Sequence, residues 1–218
     1  VVTTPEGNGS IPENHQLSGG VGYYGHGSSG WYAEKADVVL AIGTRLTQQM
    51  RGPTALKSSQ QLIHIDVDEN VINKNHPASV SVIADAKEAI EALLIKLSSH
   101  TKTQLWPDDC KDKISQEFRK WLTDTAPLQG EIINDIQQVL EDDAIYVSGI
   151  TNIGYWSHFY YQVTHPRTYF TSSYFATLGC SFPFALGAKC ASPQSQVICV
   201  IGDGGFGYSC QEFWTAVR

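Results

Sequence analysis

Near its C-terminal end the sequence passes from an apolar run straight into a glycine-rich loop. Residues 196–201 read QVICVI, which is typical of a buried strand, and Gly202, Asp203, Gly204 and Gly205 follow without a spacer. In open parallel sheets, ligands bind beyond the carboxyl ends of the strands. This junction therefore indicates an α/β fold with a ligand site at the end of a strand.

The residue types in this loop suit a phosphate group held together with a divalent cation. Gly204 and Gly205 carry no Cβ, so a phosphate can approach the backbone, and the start of the following helix favours an anion. Asp203 adds a hard oxygen ligand of the kind that Mg²⁺ shares with phosphate oxygens and water. The alternative is a tight turn in which Asp203 only caps the next helix, and the residues alone leave both readings open.

Strand and helix signals alternate along the rest of the chain. Strands are predicted at residues 38–42, 62–67, 81–83, 144–147, 169–171 and 196–201. Helices are predicted at residues 31–35, 85–97, 127–140 and 182–190, and from residue 208 onward. This alternation predicts the α/β class, with two doubly wound parallel-sheet domains that are both incomplete in this chain.

A polar stretch separates the two alternating patterns and sets the predicted domain boundaries. Residues 1–97 are expected to form part of one domain, residues 98–125 a connector, and residues 126–218 part of a second domain. The chain begins at Val1 without an initiator Met and stops at Arg218 inside a helical pattern. We therefore expect it to be a fragment of a longer polypeptide.

Composition and charge exclude several classes of function. The 218 residues include 15 Lys+Arg and 22 Asp+Glu, giving a net charge of −7 without any basic run, which argues against nucleic-acid and anionic-membrane partners. No apolar run approaches the length of a membrane span. Five cysteines without a CxxC pair predict neither a metal cage nor a disulfide framework, and favour a reduced, cytoplasmic setting.

A second motif lies upstream of the glycine-rich loop, at residues 174–189 (YFATLGCSFPFALGAK). Small residues and a proline predict a tight turn that enters an apolar helix. Ordinary core packing explains residues 184–188. The turn at residues 176–179 differs, because small residues surround one bulky Leu178, which could lie against a flat ligand.

Together the two motifs resemble a known family. TLGCSFPFALGAK (177–189) and VICVIGDGGFGYSCQEFWTAV (197–217) strongly resemble the diphosphate-binding domain of thiamine-diphosphate-dependent enzymes. The most similar branch is the acetolactate synthase large subunit with its decarboxylase and carboligase relatives. Residues 1–9, 25–46 and 62–75 resemble the central domain of the same family. The resemblance extends over nearly the whole chain apart from the connector.

The resemblance implies roles for individual residues. Asp203 would be the first Mg²⁺ ligand, and Leu178 the apolar wedge that bends thiamine diphosphate into its reactive shape. Cofactor contacts are implied for Thr151, Asn152, Ala176, Leu178, Gly202, Gly204 and Gly205. Synthases commonly have Gly-Gln-His where this chain has Thr151, Asn152 and Ile153. No catalytic residue is expected on this chain, because the Glu that protonates the cofactor precedes Val1 in the family.

The resemblance also raises flavin binding in the first domain. The candidates by position are Gly25, His26, Gly27, Gly43, Arg45 and Asp66. Asp66 suits a ribose contact at the end of a second strand, but a GxGxxG fingerprint is absent, so FAD stays open. The alternative for His26 is a loop histidine that is hydrogen-bonded to the backbone.

The implied function is that of an enzyme dependent on thiamine diphosphate and Mg²⁺. It would decarboxylate a 2-oxo acid such as pyruvate and transfer the acyl carbanion to a second carbonyl, as in branched-chain amino acid biosynthesis. The alternatives are another thiamine-diphosphate-dependent decarboxylase or lyase, and a non-catalytic nucleotide-binding module. A homodimer or homotetramer is expected for the full-length protein. The fragment alone is expected to be inactive and to bind the cofactor weakly, because the second Mg²⁺ ligand would follow Arg218.

Overall fold

The protein contains two compact α/β units. The computed structural model describes residues 1–23, 26–47, 56–100 and 108–218, with side chains in the last range from residue 112 onward. Contacts group Val1–Val21 with Glu117–Arg218 in one unit and place Gly22–Gln116 in the other. Within the described residues, each unit has a three-stranded sheet in which every pairing is parallel. The predicted α/β class with parallel sheets is confirmed.

The unit of residues 22–116 has a sheet whose strand order follows the sequence. Its elements are α1 Ser28–Lys35, β1 Val38–Ile42, β2 Gln61–Asp66, β3 Val80–Ile83 and α2 Ala86–Leu97. The strand order is β1-β2-β3, and a small core of Ala41, Leu46 and Leu62 packs against the sheet. The Asp85 carboxylate accepts the N–H of Lys87 at 2.9 Å, which starts α2 where a cap was predicted.

The other unit is built around a buried central strand. Its elements are α4 Pro127–Val139, β4 Ile145–Ser148, α5 Asn152–Tyr160, β5 Tyr169–Thr171, α6 Ser181–Ala191, β6 Val197–Val200, α7 Asp203–Ser209 and α8 Phe213–Val217. The strand order is β5-β4-β6. Tyr146 of β4 joins one apolar cluster, whereas Ile145 and Val147 join a second. Because successive side chains of a strand point to opposite faces, both faces of β4 are covered, as expected for the centre of a parallel sheet.

Three parts of the chain differ from the sequence-based expectation. The final helical region begins at Asp203 rather than at residue 208, and a 3₁₀ turn at Cys210–Glu212 separates α7 from α8. Helix α5 was not predicted. The expected connector contains an 18-residue helix, α3 Asp108–Thr125, which extends beyond the amphipathic pattern of residues 114–122, and the boundary between the two units falls within it. In α5 and at the start of α7, glycines and aromatic residues give weak local helix signals, so tertiary packing decides these two segments.

The first residues of the chain belong by contact to the unit of β4. Residues 1–21 group with residues 117–218, whereas the sequence-based division assigned them to a domain of residues 1–97. Contact units and family domains are different groupings, so the boundaries at residues 97 and 126 stay a prediction. Among the described residues, no helix combines the length and the apolar character that crossing a membrane requires.

Glu13 ties the N-terminal segment to the loop before β5. Its N–H donates to the Val163 carbonyl at 2.9 Å, and its carboxylate Oε2 accepts the Val163 N–H at 2.8 Å. Burial raises the pKa of Glu13 to about 7, although the Val163 N–H opposes the rise. Burial also lowers the pKa of His158, on α5, to about 3, so that this imidazole is neutral near neutral pH.

The raised pKa of Glu13 predicts a pH-dependent contribution to stability. Between the ordinary glutamate pKa of 4.5 and about 7, the folded protein binds a proton at Glu13, whereas the unfolded chain does not. The unfolding free energy therefore falls as pH rises through this range, by at most about 3 kcal/mol. In the Glu13→Gln variant this loss is absent, because the amide has no proton to release and keeps an oxygen for the Val163 N–H.

Urea unfolding of both proteins between about pH 5 and about pH 8 measures this difference. The stability of Glu13→Gln relative to wild type should increase as pH rises. His158 has the opposite slope below its ordinary pKa of 6.5, but it is common to both proteins and cancels in the comparison. Glu131→Gln, at an exposed position of α4, serves as the control for removing a glutamate charge. A difference between wild type and Glu13→Gln that does not change with pH would contradict the prediction.

Candidate functional site

The carboxyl ends of β4 and β6 lie side by side and define the candidate site. Ser148 pairs with Val200 at the end of the two parallel strands, and the Gly149 N–H donates to the Val200 carbonyl at 2.7 Å. The loops that follow remain adjacent, since a Cβ on Gly202 would lie 3.3 Å from the Thr151 Oγ1. The structure thus brings together two of the predicted site residues, one from each strand end.

Two glycines allow the segment after β4 to pack this closely. A Cβ on Gly149 would lie 2.8 Å from the Val200 carbonyl oxygen, and a Cβ on Gly154 would collide with the Gly149 carbonyl oxygen. The first turn of α5 is therefore pressed against the end of β4. This packing places Thr151 at the N-cap of α5 and Asn152 at its first position.

Asp203 is the first residue of α7 and leaves its carboxylate in solvent. Gly202 occupies the N-cap position, and the first helical bond runs from the Phe206 N–H to the Gly202 carbonyl at 2.8 Å. Within the described part of the chain, no hydrogen bond or ion pair involves the Asp203 carboxylate, which is exposed. The alternative in which Asp203 caps the helix is therefore wrong, because a glycine holds that position.

The glycines after Asp203 serve two different purposes. A Cβ on Gly204 would meet no atom within 4 Å, so the backbone there faces open space. Gly205 is buried, and a Cβ on it would lie 3.1 Å from Ile201 Cγ1 and 3.5 Å from Leu178 Cδ1. Leu178 is 42% exposed, so it lies over Gly205 with part of its side chain open to solvent.

The turn that carries Leu178 docks on α7 and is internally strained. Gly179 has φ +90°, and a Cβ on it would lie 2.6 Å from Tyr208 Cβ. Ala176 has φ 50°, which is unfavourable for a residue with a side chain. Two bonds to Ser172 hold this conformation, from the Ala176 N–H to the carbonyl at 2.7 Å and from the Thr177 N–H to Oγ at 3.2 Å.

Asn152 differs from the other predicted site residues because its side chain is already engaged. Its Oδ1 accepts a hydrogen bond from Gln129 Nε2, on α4, at 2.9 Å. Four of the remaining residues approach each other in two pairs, Thr151 with Gly202 and Leu178 with Gly205. Since Gly202 and Gly205 flank Asp203 and Gly204 in sequence, both pairs converge on the same loop and first helical turn.

A buried polar cluster behind the end of β4 was missed by sequence reasoning. Ser157 Oγ donates to the Gly154 carbonyl at 2.8 Å and lies 2.8 Å from the Tyr169 hydroxyl, while Ser148 Oγ lies 3.3 Å from Ser157 Oγ. The Tyr169 hydroxyl is 3.3 Å from His158 Nδ1. Burial raises the pKa of Tyr169, so this cluster is uncharged near neutral pH. Its members lie on three elements, so no local pattern could have revealed it.

The other unit carries its own candidate loop at the carboxyl end of β1. Gly43, with φ 59°, faces open space, and His64 Nε2 donates to the Thr44 carbonyl at 2.9 Å. Asn75 Nδ2 donates to the Arg45 carbonyl at 2.7 Å. These two bonds attach the loop after β1 to strand β2, through His64, and to the loop after β2, through Asn75.

The remaining nucleotide-site candidates lie elsewhere in that unit. Asp66 ends β2, and its carboxylate accepts the Asp68 N–H at 3.0 Å. Gly27 is the N-cap of α1, and the backbone N–H of His26 donates to the Tyr23 carbonyl. This bond does not involve the imidazole, so the loop-histidine alternative stays a prediction. Gly25 lies outside the described residues. Across the described ranges, no group of three or more His, Cys, Asp or Glu residues is arranged to hold a metal.

Two family models match this chain and together cover most of it. Residues 1–93 match "Thiamine pyrophosphate enzyme, central domain", and residues 149–218 match "Thiamine pyrophosphate enzyme, C-terminal TPP binding domain". The second match contains every residue of the candidate site after β4 and β6. The chain belongs to the thiamine pyrophosphate enzyme family.

Similar proteins within this family carry two kinds of name. The chain is 32% identical to the "Probable acetolactate synthase large subunit" of Methanococcus aeolicus, over 99% of this chain and 39% of that protein. It is 27% identical to the acetolactate synthase isozyme 3 large subunit of Escherichia coli, over 100% of this chain and 40% of that protein. It is 29% identical to the "Probable 2-ketoarginine decarboxylase" of Pseudomonas aeruginosa, over 98% and 38% respectively. The chain thus spans about two fifths of the length of these relatives.

The close contact at Gly154 predicts a large effect of adding one methyl group at this position. Gly154→Ala places a Cβ against the Gly149 backbone, which cannot move without disturbing the end of β4. We expect a loss of at least about 2 kcal/mol in the free energy of unfolding. Gly187→Ala is the matched control, because Gly187 also lies inside a helix but its Cβ would meet nothing within 4 Å.

Urea unfolding at one fixed pH measures both variants. Gly187→Ala should be neutral or stabilising by up to about 1 kcal/mol, since alanine favours a helix. Equal stabilities for Gly154→Ala and Gly187→Ala would show that the close packing after β4 is wrong.

Proposed function

We propose that this chain supplies half of a thiamine-diphosphate and Mg²⁺ site in an enzyme that acts on 2-oxo acids. The observation that carries the proposal is Asp203, an exposed carboxylate without a described partner at the start of α7. It stands between glycines at the carboxyl end of a parallel strand. A lone carboxylate suits Mg²⁺, which fills its remaining positions with phosphate oxygens and water.

The residues around Asp203 fit a diphosphate in this place. Gly204 leaves the backbone open, and the N–H groups of the first turn of α7 precede the first helical bond. The Thr151 hydroxyl lies beside Gly202 and adds a polar group from the end of β4. These residues would hold the diphosphate and the metal against the edge of the sheet.

Ala176 and Leu178 are proposed to bind the apolar part of the cofactor. Leu178 projects from a strained turn and rests on Gly205, so its half-exposed side chain is held in place. A fixed apolar side chain of this kind can support the bent cofactor conformation. When bound, thiamine diphosphate supplies the electron sink for a carbanion formed from a 2-oxo acid. The part of this chain is to bind and orient it.

Acetolactate synthase-type chemistry is the proposed reaction, with pyruvate as the first substrate. Support comes from the relatives named as acetolactate synthase large subunits, which match at 27% to 32% identity in the two cases described. A second candidate is simple decarboxylation of a larger 2-oxo acid. The relative named as a 2-ketoarginine decarboxylase, at 29% identity, supports it nearly as well. FAD is a further proposal, which would use the open loop at Gly43.

The proposed role of Asp203 predicts a specific defect in cofactor binding. Asp203→Asn keeps the shape of the side chain but removes the charge that attracts Mg²⁺. We expect the Kd for thiamine diphosphate in the presence of Mg²⁺ to rise at least about tenfold. Calorimetric titration of the full-length wild-type protein and its variant, with and without Mg²⁺, measures the change. The control is Asp135→Asn, at an exposed position of α4 in the same unit, which should bind as wild type does.

An Asp203→Asn variant that keeps both the affinity and the Mg²⁺ dependence of wild type would overturn the metal assignment. Because this chain alone is expected to bind weakly, the test uses the full-length protein, and a full-length wild type that binds no thiamine diphosphate would overturn the proposed function itself. For a full-length protein that binds, release of CO₂ from pyruvate and from 2-ketoarginine, with analysis of the carbon product, separates the two candidate reactions. Acetolactate as the product supports the first, and an aldehyde as the sole product supports the second.

A further inference from the structure

The N-terminal segment of residues 1–21 lies beside the part of the chain that leads to residues 172–178, which we call the cofactor turn. Glu13 pairs with Val163, and Gly9, with φ +86°, approaches the His165 carbonyl, since a Cβ on it would lie 3.1 Å away. Glu6 accepts a hydrogen bond from Ser173 Oγ. As residue numbers fall along the segment, those of its partners rise. The segment therefore runs alongside residues 163–173 and reaches the start of the turn at Glu6.

Glu6 is presented to Ser173 by a short, well-defined structure. It lies in a 3₁₀ turn, Pro5–Gly7, whose N-cap Thr4 accepts the Gly7 N–H with its side chain at 3.2 Å. Ser173 is only 3% exposed, whereas Glu6 is exposed and no described cation pairs with its carboxylate. The contact is therefore a charge-assisted hydrogen bond from a buried hydroxyl to a carboxylate, which is stronger than a bond between neutral groups.

Ser173 lies next to the residue that holds the strained turn. The Ser172 carbonyl and hydroxyl accept the N–H groups of Ala176 and Thr177, which keeps Ala176 at φ 50°. A strained conformation persists only where its surroundings fix it. The Glu6 carboxylate fixes the chain one residue from Ser172, and so fixes the point from which Ala176 and Leu178 are placed.

We propose that Glu6 is a positioning residue for the cofactor turn of residues 172–178. Through Ser173 its carboxylate holds this turn in the conformation that sets Leu178 on Gly205. The effect on cofactor binding rests on the proposed function, but the effect on the turn does not. Glu6 differs in this respect from Glu13, which anchors the same segment to Val163, in the loop before β5.

The experiment compares four test variants and one control variant with wild type, all in the full-length protein, in two measurements. Glu6→Ala and Ser173→Ala each remove the hydrogen bond, the double variant removes both partners, and Glu6→Gln keeps an acceptor oxygen. Glu131→Ala removes an exposed charge from the same unit without touching the turn and is the control. Hydrogen–deuterium exchange reports on the N–H groups of Ala176 and Thr177 without cofactor. Calorimetry measures the Kd for thiamine diphosphate with Mg²⁺.

Glu6→Ala and Ser173→Ala should each speed exchange in residues 172–178 and raise the Kd at least about fivefold. The double variant should be no weaker than either single variant, because both remove one interaction. Glu131→Ala should stay within about twofold of wild type, and Glu6→Gln, which keeps the acceptor oxygen but loses its charge, should lie between wild type and Glu6→Ala.

Unchanged exchange in the turn for Glu6→Ala would overturn the proposal, whether or not the cofactor binds. So would a Glu6→Ala variant with lower thermal stability but wild-type Kd, which indicates a merely structural contact, and so would a Glu6→Gln variant as weak as Glu6→Ala. If wild type binds no thiamine diphosphate, the proposed function fails, and the exchange measurement alone decides whether Glu6 holds the turn.

Discussion

The parallel pairing of β4 with β6 is the constraint on which the rest of the candidate site depends. The bond from the Gly149 N–H to the Val200 carbonyl, at 2.7 Å, extends the ladder beyond the last strand residue. The two segments that follow β4 and β6 leave the sheet at the same edge and are close together. The segment after β4 therefore needs glycine at positions 149 and 154, where a Cβ would meet backbone atoms. The position of Thr151 beside Gly202 follows from this packing. The site is thus a consequence of strand pairing before any ligand is considered.

The three residues that follow Gly202 differ in their surroundings: Asp203 and Gly204 are exposed to solvent, whereas Gly205 is buried. Gly179 is required by a close contact, because a Cβ there would lie 2.6 Å from Tyr208 Cβ, and a Cβ on Gly205 would press on Ile201 Cγ1 at 3.1 Å. Gly204 meets no such limit, and glycine inside a helix costs about 1 kcal/mol relative to alanine. Packing does not explain this residue, and the proposed diphosphate site would use the backbone that glycine leaves open here. The same argument applies to Asp203, whose carboxylate contributes no described contact to the fold.

Local sequence signals predicted the elements whose stability is local. Residues 38–42 and 169–171 form strands with the predicted bounds, and α2 starts after the Asp85 cap, because β-branched runs and caps act within a few residues. The start of α7 at Asp203 was missed, since the sequence DGGFG opposes a helix and only packing on Leu178 and Ile201 allows it. The contact between Glu6 and Ser173 spans 167 residues, so no single-sequence pattern could reveal it.

The N-terminal residues are assigned differently by the family match and by the contacts in the structure. By family they belong to the central domain, yet residues 1–21 pack in the unit that carries the candidate cofactor site. Two carboxylates make the connection in different environments. Burial raises the pKa of Glu13 to about 7, so its attachment responds to pH, whereas Glu6 is exposed at the turn. The segment is therefore held at one end by a group whose charge varies near neutral pH and at the other by a hydrogen bond beside the strained Ala176. We therefore expect that a substitution in residues 1–21 can change the conformation of residues 172–178, although it alters no residue of the C-terminal family match.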